Sequence, residues 1–156
     1  MSIEIERKFL VKSVAFKNFA FKKLVFKQGY LNSDKQRNVR VRVADSVGFL
    51  TIKGISNSSG TSRYEWEKKI TKEEANELLQ LSEPLVIKKT RYFINEGKHV
   101  YEVDEFHDEN EGLLLAEIEL QQENESFSKP FWLGEEVTGN PKYYNSYLSK
   151  NPFTGW

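Results

Sequence analysis

Residues 3–11 read Ile3-Glu4-Ile5-Glu6-Arg7-Lys8-Phe9-Leu10-Val11, and apolar and charged side chains alternate along most of this run. Successive side chains of an extended chain point to opposite faces of a sheet, so Glu4, Glu6 and Lys8 share one face of a predicted first strand. Glutamate is depleted in strands, and two glutamates on one face repel each other unless a cation lies between them. The charged face of this strand is therefore either exposed to solvent or part of an enclosed charged site.

The alternation recurs along the chain and predicts about eight strands, most of them antiparallel to their neighbours. After the first strand, the predicted strands cover residues 24–31, 37–43, 49–53, 63–70, 85–94, 99–106 and 113–121. A sheet of this size tends to close into a barrel, because closure removes its edges. The predicted fold class is mainly β, a closed eight-stranded antiparallel β-barrel with a few flanking helices, in a single domain over residues 1–156.

Helical signals are confined to three places. A capping box of Thr71 and Glu74 predicts one helix that ends before Pro84. Its predicted apolar face is formed by Ala75, Leu78, Leu79 and Leu81. Residues 14–21 predict a short helix or turn, and Asn140 before Pro141 predicts a C-terminal helix over about 141–149.

The composition suits one globular domain and narrows the classes of partner. The chain has 156 residues, of which 38% are hydrophobic, and 23 lysines and arginines balance 23 aspartates and glutamates. A net charge of zero disfavours a general nucleic-acid binder or membrane-surface binder. The absence of cysteine excludes disulfides and thiolate metal sites. The sequence shows neither a signal peptide nor a long apolar run, and a soluble cytoplasmic protein is expected.

Charged residues occupy equivalent positions on many of the predicted strands. Acidic pairs at a spacing of two residues are Glu4/Glu6, Glu65/Glu67, Glu102/Asp104 and Glu117/Glu119. Basic residues at equivalent positions are Lys8, Arg40, Arg42, Lys53, Lys89 and Arg91. Carboxylate clusters suit Mg²⁺ or Mn²⁺, whereas arginine and lysine clusters suit phosphate oxygens. If the strands place all of these side chains inside one barrel, the lumen is a site for a metal-chelated polyphosphate.

A solvated charged face with cross-strand glutamate–lysine pairs would give the same alternation. Such a sheet needs cover on its apolar side, and two modest helices with the aromatic segment near residues 16–21 leave much of that side exposed. A homodimer, in which a second subunit covers an outward-facing apolar layer, would also satisfy the pattern. From the pattern alone, the solvated face and the charged lumen both remain open.

The opening Glu4-Ile5-Glu6-Arg7-Lys8 resembles the N-terminal Glu-x-Glu-x-Lys signature of the CYTH family, whose members are also called triphosphate tunnel metalloenzymes. The resemblance runs the length of the chain. The further matching segments are Gln28-Gly29-Tyr30-Leu31, Arg40-Val41-Arg42, Thr51-Ile52-Lys53-Gly54, Arg63-Tyr64-Glu65-Trp66-Glu67, Ile87-Lys88-Lys89-Thr90-Arg91-Tyr92, Glu102-Val103-Asp104, Ala116-Glu117-Ile118-Glu119, Trp132-Leu133-Gly134-Glu135-Glu136-Val137-Thr138, and Tyr144-Asn145 with Leu148.

The resemblance implies an eight-stranded antiparallel barrel that forms a tunnel, in which a triphosphate is hydrolysed or cyclised with a divalent metal. The chain is most similar to the short inorganic triphosphatases of bacteria, and this likeness implies inorganic tripolyphosphate, a small molecule, as the substrate. A class IV adenylate cyclase and a thiamine triphosphatase are the alternatives within the family. A module that binds polyphosphate or nucleotide without turnover is the non-enzyme alternative, but a pure anion binder would gain nothing from so many glutamates.

The resemblance also assigns roles to the charged residues. It implies that the triphosphate is bound by Arg40, Arg42, Lys53, Lys89 and Arg91. It implies that Mg²⁺ or Mn²⁺ is bound by Glu4, Glu6, Glu117 and Glu119. Lys8 is expected to act with Glu4 and Glu6 in catalysis, by orienting the attacking water or by screening the growing charge.

For other residues the resemblance leaves two roles open, or none. Each of Glu65, Glu67 and Asp104 either binds metal or holds a cationic side chain in place. Tyr30 either reaches Lys8 across neighbouring strands or is an ordinary residue of the barrel wall. No role is implied for His99 or His107, and Trp66 and the tyrosines of the last helix are expected to pack rather than to bind substrate.

Overall fold

The computed structural model describes residues 2–156, and nine β-strands make up most of that range. They are β1 (Ser2–Val11), β2 (Ala20–Asn32), β3 (Arg37–Ala44), β4 (Val47–Gly54), β5 (Ser62–Thr71), β6 (Ile87–Glu96), β7 (His99–Phe106), β8 (Leu114–Glu119) and β9 (Leu133–Glu136). The hydrogen-bonded order is β5-β4-β3-β2-β6-β7-β8-β1-β9, and β1 also pairs with β5. The β1–β5 pairing closes an eight-stranded antiparallel barrel, which confirms the predicted fold class.

The ninth strand is the one that the alternation did not predict. β9 pairs with β1 where β5 no longer does, opposite Phe9 and Val11. With only four residues, one of them Gly134, β9 is too short to show alternation. A Cβ at Gly134 would lie 3.0 Å from the Leu10 carbonyl oxygen, a tight contact, so this pairing favours a glycine at that position. The Arg7 guanidinium fastens the strand from β1, with Nε 2.7 Å and Nη2 2.6 Å from the carboxylate oxygens of Glu136.

The apolar core lies outside the barrel, between the outer faces of the strands and the segments that cover them. One cluster places the fully buried Phe16 and Trp132 against outward side chains of β1, β7 and β8. A second packs Leu148 on Ile87 and Leu115. These covering segments bury much of the apolar layer, which explains how the barrel can keep its charged faces inside.

The first helix, α1 (Lys72–Leu79), confirms the capping box. The Thr71 hydroxyl accepts from the Glu74 backbone N–H, and the Glu74 carboxylate accepts from the Thr71 N–H. Its buried residues, Ala75 and Leu79, pack on β3 in a third cluster. The prediction for Leu81 is wrong: the helix ends at Leu79, and Leu81 is 74% exposed.

The two other helical predictions need correction in extent. Residues 14–21 contain a 3₁₀ helix only over Val14–Phe19, and β2 begins at Ala20. The C-terminal helix is interrupted: a 3₁₀ turn (Pro141–Tyr143), capped by the Asn140 side chain, precedes α2 (Asn145–Leu148). Tyr144 between them is extended, with φ −74° and ψ 137°. Over residues 2–156 we find no helix with the length and hydropathy needed to cross a bilayer.

Candidate active site

The charged faces of the strands surround one cavity of about 190 Å³ inside the barrel. It is lined by Glu4, Glu6, Lys8, Tyr30, Asn38, Arg40, Arg42, Lys53, Arg63, Glu65, Glu67, Lys89, Arg91, Glu102, Glu117, Glu119, Tyr144, Asn145 and Ser146. Every predicted site residue except Asp104 is in this set. Of the two arrangements left open by the alternation, the structure therefore has the charged lumen.

The acidic wall forms where β1 pairs with β8. The register places Glu6 opposite Glu119 and Lys8 opposite Glu117. Burial, then the charges of Glu117 and Glu4, raise the pKa of Glu6 to about 8. Burial also opposes ionisation of Glu117, but Lys8, whose ammonium is 3.7 Å from the carboxylate, and the arginine and lysine beyond it hold the pKa of Glu117 well below its ordinary value. These shifts favour a protonated Glu6 beside an ionised Glu117 at neutral pH.

Glu4 lies on the same strand but in a different electrostatic setting. The Lys53 ammonium is 2.9 and 3.0 Å from its two oxygens, and Arg63 Nε is 3.6 Å away. Burial would raise the pKa of Glu4, but Lys53 and a hydrogen bond with the Glu65 carboxyl lower it to about 2. Burial and the Glu4 contact raise the pKa of Glu65 to about 7. To bind a metal, Glu4 would have to exchange its cationic partners for it.

Paired cations occupy the β6–β7 side of the lumen. Arg91 donates to both oxygens of Asp104, at 2.7 and 2.9 Å, and to Glu102 at 2.6 Å. The Lys89 ammonium lies 2.7 Å from Asp104 Oδ2, one of the two oxygens that accept from Arg91, and Asp104 is 1% exposed. Asp104 does not line the cavity, and its contacts are those of a residue that holds cations in place. This is the second of the two roles that the resemblance left open for it.

Cations without a close carboxylate partner lie on β3. Arg40 Nη2 is 3.3 Å from the Thr51 hydroxyl and 3.9 Å from Glu67, and its buried Nε has no hydrogen-bond partner among residues 2–156. Arg42 Nε donates to the neutral Gln28 side chain at 2.8 Å. Burial, then the charges of Arg40 and Arg91, lower the pKa of Arg42. An anion in the lumen would relieve this repulsion and supply the missing acceptor.

Tyr30 lines the lumen, and the strand order does not support the first of the two roles left open for it, a contact with Lys8 across neighbouring strands. β1 and β2 are not neighbours in the barrel, so Tyr30 does not lie across from Lys8. The Lys8 ammonium instead donates to the Tyr143 carbonyl oxygen at 2.9 Å and lies 5.4 Å from the centre of the Tyr144 ring. The C-terminal segment, and not β2, therefore contacts Lys8.

Sequence reasoning missed several residues of the lumen. The missed residues are Asn38, Arg63, Tyr144, Asn145 and Ser146. Glu102, named in an acidic pair but given no role, also lines the lumen. A signal existed for Arg63, since it shares the alternation phase of Glu65 and Glu67 on its own strand. Tyr144, one of the tyrosines expected to pack rather than to bind substrate, lies in the lumen lining. Trp66, His99 and His107 lie outside the lumen lining, as expected.

The donor set of the acidic wall fits Mg²⁺ or Mn²⁺. Its atoms are carboxylate oxygens, and the β1–β8 register sets Glu6 directly opposite Glu119, so that two carboxylates meet there. Within the described range, 2–156, no three acidic or imidazole side chains already converge as a metal cluster. Mg²⁺ is commonly held by one or two carboxylates together with phosphate and water oxygens, so a carboxylate pair satisfies what that ion requires of the protein.

A closed barrel that presents a carboxylate wall and a cationic wall to one small cavity defines a tunnel site for a polyanion with its metal. The CYTH domain family matches residues 2–151, and the chain belongs to that family. An inorganic triphosphatase from Acetivibrio thermocellus is 51% identical over 154 residues, covering 98% of this chain and 97% of the relative.

More distant relatives agree with this assignment. An inorganic triphosphatase from Nitrosomonas europaea is 33% identical over 151 residues, covering 94% of this chain and 96% of the relative. The crystal structure of an inorganic triphosphatase superposes with a TM-score of 0.64 at 31% identity, covering 94% of this chain and 97% of that one. The family resemblance stated from the sequence is confirmed.

Proposed function

We propose that this protein hydrolyses inorganic triphosphate with Mg²⁺ or Mn²⁺ in the barrel lumen. The observation that carries the proposal is the division of one enclosed cavity into a carboxylate wall and a cationic wall. In the cationic wall, Arg40 Nε has no hydrogen-bond partner among residues 2–156. Both curated relatives named above are inorganic triphosphatases and align over nearly the whole chain.

In this proposal the protein binds phosphate oxygens on its cationic side. The groups assigned to the triphosphate are Arg40, Arg42, Lys53, Lys89 and Arg91. The groups assigned to the divalent cation are Glu6, Glu117 and Glu119, joined by Glu4 when it releases Lys53. When bound, such a cation neutralises phosphate charge and lowers the pKa of a coordinated water. Lys8, held between Glu117 and the Tyr143 carbonyl, is placed to orient the attacking water or to screen the charge that develops on phosphate.

The lining of the lumen favours inorganic triphosphate over the two alternative substrates in the family. Adenine or the thiamine rings would need an apolar or aromatic surface, and apart from Tyr30 and Tyr144 the residues around this cavity are charged, amide or hydroxyl side chains. A binding module without turnover is disfavoured by the acidic wall, which weakens the binding of an anion unless a metal is also present.

The partners, the location and the oligomeric state of the protein are part of the same proposal. A small-molecule triphosphate is its partner, and the equal numbers of acidic and basic residues support the absence of a nucleic-acid or membrane partner. A cytoplasmic location is part of this proposal. A homodimer is supported only by exposed apolar side chains on the outside of the barrel, among them Phe19, Phe21 and Phe131.

The test is a substrate panel of tripolyphosphate, ATP, thiamine triphosphate and long-chain polyphosphate, with phosphate and cyclic AMP both assayed. We expect phosphate release from tripolyphosphate with Mg²⁺ or Mn²⁺, and none in excess chelator. Lys89→Met should abolish this activity, whereas Lys88→Met, the same change on the exposed face of the same strand, should not. Turnover in excess chelator, or cyclic AMP as the main product, would contradict the proposal.

A further inference from the structure

The side chain of Asn145 connects the C-terminal segment to the cationic wall. Its Oδ1 accepts from the Lys89 ammonium and from the Gln28 amide, each at 2.9 Å. Gln28 and Lys89 are 0% and 1% exposed, so neither donor has water as a ready substitute. Asn145 therefore satisfies two buried donors from two different strands, β2 and β6.

Beyond these two donors, the contacts continue to the other cations of the wall. Gln28 turns its Oε1 to Arg42 Nε at 2.8 Å, and Lys89 shares Asp104 with Arg91. Asn145 thus lies at the centre of a hydrogen-bonded chain that sets the positions of Arg42 and Lys89. Removal of its oxygen would leave Gln28 Nε2 unpaired and would leave Lys89 to Asp104 alone.

The position of Asn145 is fixed by packing on the same side of its short helix. Leu148, three residues later, is fully buried against Ile87 and Leu115. Residues three apart lie on the same side of a helix, so the packing of Leu148 holds Asn145 toward the barrel. The Tyr143 carbonyl, which accepts from Lys8, ties the preceding turn to the lumen as well.

The choice of an amide at this position has a chemical reason. An ammonium group has only donors, and Gln28 presents its NH₂ here, so the group between them must be an acceptor. A carboxylate would satisfy both donors equally well, but it would add a negative charge to the surface that receives phosphate. Asp104 already neutralises part of Lys89 and Arg91. A neutral carbonyl positions the cations and leaves their remaining charge available.

We propose that Asn145 is a positioning residue for triphosphate, whose neutral side-chain oxygen fixes Lys89 and, through Gln28, Arg42 without cancelling their charge. The inference rests on the proposed function, because it concerns the affinity of the lumen for that substrate. Its consequence is that two simple substitutions of Asn145 should rank in opposite orders for stability and for substrate affinity.

The experiment compares Asn145→Asp and Asn145→Ala with the wild type, using the full chain. Melting temperature is measured without metal, and KM and kcat for tripolyphosphate are measured with Mg²⁺. Asn145→Asp keeps both acceptor contacts and gains a charge opposite Lys89, so its melting temperature should equal or exceed that of the wild type. Its KM should nevertheless rise roughly 10- to 100-fold, because a unit charge acts on phosphate at short range in a poorly solvated site. Since the contact acts on bound substrate and transition state alike, kcat should change less than KM.

Asn145→Ala should show the reverse order. It loses both contacts and should melt below the wild type, but it adds no charge, so its KM should rise less than that of Asn145→Asp. A residue that acted only in folding would give KM values that follow the melting temperatures, with Asn145→Asp close to the wild type. Asn151→Asp is the matched control, the same amide-to-carboxylate change on an exposed residue of the same C-terminal segment, and it should keep the wild-type KM.

The outcomes separate this inference from the proposed function. A wild type that fails to hydrolyse tripolyphosphate overturns the proposed function. A wild type that hydrolyses it, with an unchanged KM in Asn145→Asp, overturns the role of Asn145. If Asn145→Asp does not fold, Asn145→Ala decides at a temperature where it is fully folded, and a wild-type KM there also overturns the inference.

Discussion

Glu6→Gln should make the metal-free protein less sensitive to pH. In the folded protein, burial and the neighbouring carboxylates Glu117 and Glu4 raise the pKa of Glu6 to about 8 from a reference value of 4.5. Between pH 5 and pH 7 the folded carboxyl therefore keeps its proton while the unfolded one loses it. The unfolded state then binds fewer protons than the folded state, so the free energy of unfolding falls as the pH rises.

The size of the effect follows from the pKa difference. Each pH unit between the two pKa values costs about 1.4 kcal/mol, so Glu6 alone should remove about 2–3 kcal/mol of stability between pH 5 and pH 7. Glutamine resembles the protonated carboxyl and carries no such dependence. Burial and the contact with Glu4 raise the pKa of Glu65 to about 7, which acts with the same sign. The variant should therefore keep a reduced slope rather than none.

The assay is urea unfolding and thermal melting in chelator at pH 5, 6, 7 and 8. For a chain of this size, 2–3 kcal/mol corresponds to about 4–12 °C in melting temperature. Glu109→Gln, a change at an exposed residue outside the lumen, is the control and should run parallel to the wild type. Equal pH slopes for wild type and Glu6→Gln would refute the assignment of the buried proton to Glu6.

Two further substitutions test the paired cations and the packing of the barrel. Arg91→Ala should destabilise the protein by about 3–5 kcal/mol in urea unfolding, because it leaves the buried Asp104 with one partner. Arg40→Ala should cost little stability yet raise KM. Equal stability losses in the two variants would refute the distinction between paired and unpaired cations. Gly48→Ala should cost about 1–3 kcal/mol, since the new Cβ would lie 2.6 Å from the Ala75 Cβ. Gly54→Ala should be close to neutral, because its new Cβ would lie 3.7 Å from the Tyr64 Cβ, and the reverse order would show that the α1 contact does not limit side-chain size at Gly48.

The alternation in the sequence predicted the strands and showed which charged residues share a face, but the family resemblance was needed to place those faces inside a lumen. In β1, a period of two residues puts Glu4, Glu6 and Lys8 on one face. Strand β9 was not predicted, because its four residues are too few to show a period of two. Its pairing instead brings Gly134 close to the Leu10 carbonyl of β1. The extent of β2 was also underestimated, since its first residues follow the 3₁₀ helix without a turn signal.

The C-terminal contribution to the site lay beyond what a periodic pattern can predict. Asn145 reaches the lumen because Tyr144 interrupts the helix in an extended conformation and Leu148 packs on the outer core. Neither feature follows from propensity, since residues 141–149 are compatible with one continuous helix. Only the tertiary contacts of Leu148 and the buried donors on Lys89 and Gln28 select the arrangement that is observed.

The alternation within one strand also cannot show which inward charges are paired with an opposite charge. That depends on the register, which sets the residue that each one faces on the neighbouring strand. Arg91 faces Asp104 across the β6–β7 pair and is neutralised there. Arg40 and Arg42 occupy the same inward phase, but their partners across β2 and β4 are neutral: Tyr30 and Thr51 for Arg40, and Gln28 and Phe49 for Arg42. On the opposite side, β1 and β8 bring Glu6 against Glu119. A chain with no net charge thus acquires cations on β3 whose cross-strand partners are neutral, and a facing pair of carboxylates on β1 and β8. In the proposed function, a metal-bound triphosphate supplies the anion for the first and the cation for the second.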